Sequence, residues 1–115
     1  MNIMLHRIYD SDVPQGYHAL VDRLWPRGVS KDEAKLDGHW KGLAPSNELR
    51  KWFCHDPDKW AEFRKKYLAE LRHNKDKASE YMVEVTQKNL VLLYGAKDQK
   101  FTHALVLKEY LEELV

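Results

Sequence analysis

Apolar positions along this chain change their period several times, and each change marks an element. Ile3 to Tyr9 is a short, β-compatible run. Asp10-Ser11-Asp12-Val13-Pro14-Gln15-Gly16 follows, dense in turn formers. Tyr17 to Trp25 reads as a buried strand around Ala19-Leu20-Val21. It stops at Trp25-Pro26-Arg27-Gly28, because proline has no N–H for the ladder and glycine permits a sharp turn. His39 to Leu43 offers a third, short strand. Leu90-Val91-Leu92-Leu93-Tyr94 is the clearest strand, a continuous apolar run of the kind found in strands covered on both faces.

Between these runs the period becomes helical. Ser30 caps a short helix predicted from Lys31 to about Leu36. Ser46 caps the next, with Glu48 in the first turn and Leu49, Trp52 and Phe53 at i, i+3, i+4. Asp56-Pro57-Asp58 is a second start signal, with Asp56 as cap and Pro57 at the first helical position. Trp60, Phe63, Tyr67 and Leu71 then form a stripe. His73 to Lys77 is a polar break, and Ala78, Tyr81, Met82 and Val85 fit a further helix. The last helix is predicted from Thr102 to Leu114, with Ala104, Leu107, Leu111 and Leu114 inward.

This order predicts an α/β fold. Residues 1–115 are expected to form a small single domain, with a mostly parallel sheet of three to four strands flanked by helices. Ligands of such sheets gather outside the carboxyl ends of the strands. The loops after Tyr9, Leu24 and Tyr94 are therefore expected to share one functional edge.

Composition narrows the function classes. Nineteen basic and eighteen acidic residues leave a net charge of +1, which argues against a dedicated nucleic-acid binder. The segment Glu62 to Arg72 is basic but carries Glu62 and Glu70, and reads as a solvated face. Cys54 is the only cysteine, so no intrachain disulfide forms; following Trp52 and Phe53, it reads as a small core residue. No apolar run approaches the roughly 20 residues of a membrane span. The start of the chain has no apolar export region, so the expected location is cytoplasmic. Six histidines without His-Glu-x-x-His spacing, and with no cysteine pair, indicate no metal site. Dinucleotide, Walker-type and nucleophile-elbow motifs are absent, and no cofactor is specified.

The chemistry concentrates in two places. Arg23-Leu24-Trp25-Pro26-Arg27-Gly28 sets two arginines around a tryptophan at a strand end. Guanidinium groups bind carboxylate or phosphate through paired hydrogen bonds, and an indole face stacks on rings or cations. Asp22 stands next to them, placed to orient an arginine. The competing reading pairs the arginines with acids and puts Trp25 in the core. The second place is Lys97-Asp98 with His103, in a loop that leads into a helix start. There the competing reading is a capping Asp98, a solvated Lys97 and a structural His103.

These residues resemble the DUF488 family, in its short YeaO-like branch. The resemblance rests on Arg7-Ile8-Tyr9-Asp10, Leu20 to Lys31 through Trp-Pro-Arg-Gly, Trp40 with Leu43-Ala44-Pro45-Ser46, Leu49 to Phe53, Phe63 to Leu71, and Leu92 to Asp98 leading to His103-Ala104. It implies a compact α/β domain of uncharacterised function. Longer relatives carry a Cys-His-Arg pattern near the last helix. Here the stretch reads Thr102-His103-Ala104, so only the histidine carries over.

The resulting expectation is a small-ligand protein with its pocket at the carboxyl edge of the sheet. Its partner would be a small anionic molecule, a nucleotide or another phosphorylated metabolite. Arg23, Arg27 and Lys97 would bind the anion and Trp25 would stack or wall the pocket. Asp98 and His103 would orient the ligand or move a proton, and hydrolysis or group transfer is the reaction class these residue types fit. The alternative is a non-enzymatic interaction or homodimerising module, anchored by exposed aromatic residues such as Trp25 and Trp40.

Overall fold

The computed structural model describes residues 1–115. Four strands, β1 (Asn2–Arg7), β2 (Tyr17–Leu20), β3 (Gly38–His39) and β4 (Asn89–Tyr94), form one sheet in the order β1-β4-β2-β3. Every pairing is parallel, so all carboxyl ends lie along one edge. β4 is hydrogen-bonded on both sides, and Leu90, Val91, Leu92, Leu93 and Tyr94 are all buried. The continuous apolar run is the sequence image of that central position.

Five α-helices accompany the sheet: α1 (Lys31–Ala34), α2 (Asn47–Phe53), α3 (Trp60–His73), α4 (Lys75–Val83) and α5 (His103–Leu114). The main core joins Tyr17, Ala19, Leu90 and Leu92 of the sheet to Phe53, Phe63, Tyr67, Leu71, Leu107 and Leu111 of α2, α3 and α5. Leu20, Val91 and Leu93 are buried outside that cluster, as strand alternation requires of the opposite sheet face. His6 and His18 donate Nε2–H to the carbonyls of Asp10 and Pro14, drawing the β1–β2 loop against its flanking strands.

Several boundaries differ from the sequence reading. The second strand ends at Leu20 instead of reaching Trp25; its last rung is Val21 N–H to Leu93 C=O at 2.9 Å. Beyond it, the Asp22 carboxylate accepting from Gly95 N–H and the Asp22 carbonyl accepting from the His39 ring replace ladder bonds, and Leu24 and Trp25 turn outward. The third strand is Gly38–His39, not His39 to Leu43. Lys41–Leu43 instead forms a 3₁₀ turn preceded by Trp40 and ending at Leu43, two core residues each 1% exposed. α1 stops at Ala34, short of Leu36, because Lys35 adopts a left-handed φ of 47°.

Helix starts follow the capping residues. Ser46 accepts from Leu49 N–H, Asp56 accepts from Asp58 N–H, and Thr102 accepts from Ala104 N–H. Asp56-Pro57-Asp58 opens a 3₁₀ turn, Pro57–Lys59, that runs directly into α3. The polar break at His73 to Lys77 is shorter than expected: Asn74 alone separates α3 from α4. Cys54 is exposed, contrary to the core reading. α2 ends at buried Phe53, and Cys54 leaves the helix with φ of 43°.

Candidate functional site

A cleft of about 330 Å³ opens at the carboxyl edge of the sheet. Its size suits a small molecule. The segment after β2 contributes Asp22, Arg23, Leu24 and Trp25 to the lining, and Tyr9 follows β1. Gly95 and Ala96 follow β4, and Thr102 and His103 open α5. Phe53, Phe63 and Phe101 supply apolar wall, while Arg50 and His55 add polar groups from either end of Phe53. The geometry follows from the parallel sheet: segments distant in sequence emerge side by side at one edge.

Asp22 ties this edge together. Its Oδ2 accepts from Gly95 N–H at 2.8 Å, joining the ends of β2 and β4. Its backbone carbonyl accepts from His39 Nε2 at 2.7 Å. Its Oδ1 lies 3.4 Å from His103 Nε2. No arginine pairs with it, contrary to the sequence expectation.

His103 Nε2 donates to the carbonyl of Val21 at 3.0 Å. That bond puts the proton of the neutral ring on Nε2, so Nδ1 is its acceptor and has no protein partner. Burial holds the imidazole below its ordinary basicity; Asp22 and the Val21 carbonyl oppose this and His55 reinforces it. The neutral ring is thus favoured, with its side chain 18% exposed beside the cleft.

Arg23 is the least compensated charge in the site. One Nη2–H donates to the Pro45 carbonyl at 3.1 Å, its Nε is buried without a hydrogen-bond partner, and no carboxylate lies within ion-pair distance. Arg50 also lines the cleft without a carboxylate partner; its sole side-chain bond is a long one to Asn47. Asp22 is the only acidic residue in the lining. The cleft therefore carries an excess of positive charge.

The structure brings together Arg23, Trp25 and His103 and leaves the other three sequence candidates outside the lining. Arg27 and Lys97 are exposed. Arg27 contributes its carbonyl as acceptor for Tyr9 Oη–H at 2.9 Å. Asp98 turns its carboxylate back onto the N–H groups of Lys100 and Phe101, at 2.8 and 3.2 Å, organising the approach to α5. Trp25 is 37% exposed, with its indole N–H donating to the Val29 carbonyl at 2.6 Å. Trp40 lies in the core, stacked on Tyr81. Arg50, Phe101 and Tyr9 join the lining without being candidates by sequence. Only the rule that parallel strands share a carboxyl edge pointed towards Tyr9, and nothing local marks Arg50.

Residues 2–115 match the family model described as the inactive DUF488-N3 subclade. The chain belongs to the DUF488 family. It is 43% identical over 115 residues to the uncharacterized protein YeaO of Escherichia coli, covering 99% of this chain and all of that one. It is also similar to uncharacterized protein Rv3073c of Mycobacterium tuberculosis and Mb3100c of Mycobacterium bovis. Each is 41% identical over 70 residues, spanning 60% of this chain and 59% of the relative. No solved structure matches. The expected family and α/β class both hold, and no helix is long and apolar enough to cross a membrane.

Proposed function

We propose that this DUF488 protein binds a small anionic ligand, a nucleotide or another phosphorylated metabolite, in the cleft at the carboxyl edge of its sheet, and that it does so without turnover. The observation that carries the reading is Arg23: a guanidinium with a buried, unpartnered Nε in a cleft whose only carboxylate is already engaged. A buried donor with no partner in the protein is costly to leave unsatisfied, and an anion supplies the acceptor. Arg50 and the start of α5 add positive potential on the same cleft.

One observation favours binding over catalysis: the matching branch is described as inactive. The family resemblance implies the same, since it gives longer relatives a cysteine where this chain has Thr102, and a thiol at a helix start beside a histidine is readily activated. Thr102 is 2% exposed and its hydroxyl caps α5, accepting from Ala104 N–H at 3.4 Å. His103 then serves as a hydrogen-bond acceptor through Nδ1, and Asp98 as a loop organiser.

Thermal-shift titration with inorganic phosphate, nucleoside monophosphates and sugar phosphates tests the reading. A ligand at about 100 times its Kd adds about 2.7 kcal/mol to the folded state. Arg23→Ala is expected to abolish the response, and Arg23→Lys to keep part of it through charge alone. An unchanged response in a folded Arg23→Ala variant would sink the assignment, as would release of product from any of the probes for the claim of no turnover.

A further inference from the structure

The aromatic rim of the same cleft makes a narrower statement about what enters it. Tyr9, Leu24 and Trp25 all line the cleft, and they are 48%, 67% and 37% exposed. They account for three of the seven large hydrophobic residues left exposed in the whole protein. The others, Met1, Val13, Val83 and Val115, do not line the cleft. Exposed apolar area is thus concentrated at the mouth of the pocket that holds the uncompensated arginine.

Both rings are held at their polar ends. Trp25 Nε1–H donates to the Val29 carbonyl at 2.6 Å, and its indole meets the His39 ring edge-on at a centroid distance of 5.9 Å. Tyr9 Oη–H donates to the Arg27 carbonyl at 2.9 Å, with the Arg7 guanidinium 5.7 Å from its ring centroid. The hydrogen-bonding ends of the rings are therefore occupied by the protein while part of each ring remains uncovered. A ring fixed in this way loses little conformational entropy when something stacks on it. It offers surface for a planar group rather than a hydrogen bond.

We infer that the ligand is a nucleotide, with its base stacked on the Trp25 and Tyr9 rim and its phosphate held at Arg23, rather than a phosphorylated metabolite without an aromatic base. This rests on the anion reading above and selects within it. Base stacking on an aromatic side chain tolerates different bases, so the pocket is expected to discriminate nucleotides from sugar phosphates more than one base from another.

The test compares inorganic phosphate, ribose 5-phosphate, free nucleosides and the four nucleoside monophosphates by calorimetric titration. The measurements use wild type, Trp25→Ala, Trp25→Phe and Arg23→Ala. Nucleoside monophosphates are expected to bind on the order of tenfold more tightly than ribose 5-phosphate. Trp25→Ala should remove that advantage, weakening nucleotides far more than ribose 5-phosphate, and Trp25→Phe should retain most of it. Arg23→Ala should weaken both phosphate classes. Equal affinity of ribose 5-phosphate and nucleotides, or a nucleotide advantage that survives in Trp25→Ala, overturns the inference while leaving the anion reading standing. Absence of binding by every phosphate probe overturns both. If Trp25→Ala does not fold, loss of the advantage in Tyr9→Ala is the equivalent result, and its persistence there the overturning one.

Discussion

At the scale of single residues, the histidines separate chemistry from architecture. Four of the six, His6, His18, His39 and His103, donate Nε2–H to a backbone carbonyl. They act as clasps on loops, which accounts for a histidine-rich chain without ligand spacing. A donor bond of this kind survives protonation, so acid does not break the clasp itself. For His103 the cost of acid lies in charging a half-buried ring, since its folded-state basicity is lowered mainly by burial. The unfolded chain then binds more protons than the folded one below about pH 6.5. The stability from keeping His103 neutral is present above that value and lost as pH falls towards the lower folded-state value. A thermal midpoint measured from about pH 7.5 down to about pH 5.5 should fall for wild type. It should fall less for His103→Gln, which retains a donor and does not titrate; parallel curves would show that another group governs the acid response.

At the scale of elements, short local signals were readable where they act through neighbouring backbone. Ser46 is an example: the sequence marks it as a cap, and its Oγ does accept from Leu49 N–H at 3.1 Å. The same hydroxyl also donates to Glu70 Oε2 at 2.6 Å, while Ser46 N–H donates to Oε1 at 2.9 Å. α2 is thereby tied to α3 by a contact 24 residues away in sequence, and no local pattern announces it. Ser46→Ala is expected to cost about 1–2 kcal/mol in urea unfolding, combining a lost cap with a lost hydrogen bond to a carboxylate. A cost within a few tenths of a kcal/mol would mean that neither bond persists in solution. Strand ends were the poorest local inference. Leu24 and Trp25 look like strand residues because they are apolar, yet they are exposed at the cleft. Hydrophobicity alone does not distinguish a strand interior from the rim of a cleft.

At the scale of the whole molecule, one sheet positions everything else. Phe63 shows how the core and the cleft share material: it stacks on Phe53 at a centroid distance of 4.3 Å, is 2% exposed, and also lines the cleft. Phe63→Ala is expected to destabilise the protein by about 3–5 kcal/mol. On the proposed phosphate-binding reading it should also weaken affinity, because the cavity left behind opens into the cleft; stability measured by denaturant unfolding and phosphate affinity by titration should fall together. A folded variant with unaltered affinity would separate the core from the cleft wall.

The family segments, the α/β class, the central strand and most helix starts were determined by sequence alone, because each depends on periodicity, capping chemistry or a contiguous motif. Arg23, Trp25 and His103 were also legible as candidates, from residue type and from their places at a strand end and a helix start. Only the tertiary structure decided which charges are compensated. Asp22 is adjacent to Arg23 in sequence yet serves Gly95 and His103, 73 and 81 positions away, and leaves the arginine unpaired. Asp98, equally plausible as a pocket acid, is taken up by its own turn. Arg50 and Tyr9 reach the cleft only because parallel strands and the helices packed on them bring their loops to one edge. Local rules establish what a side chain can do, and the path of the chain through space sets which partner it meets.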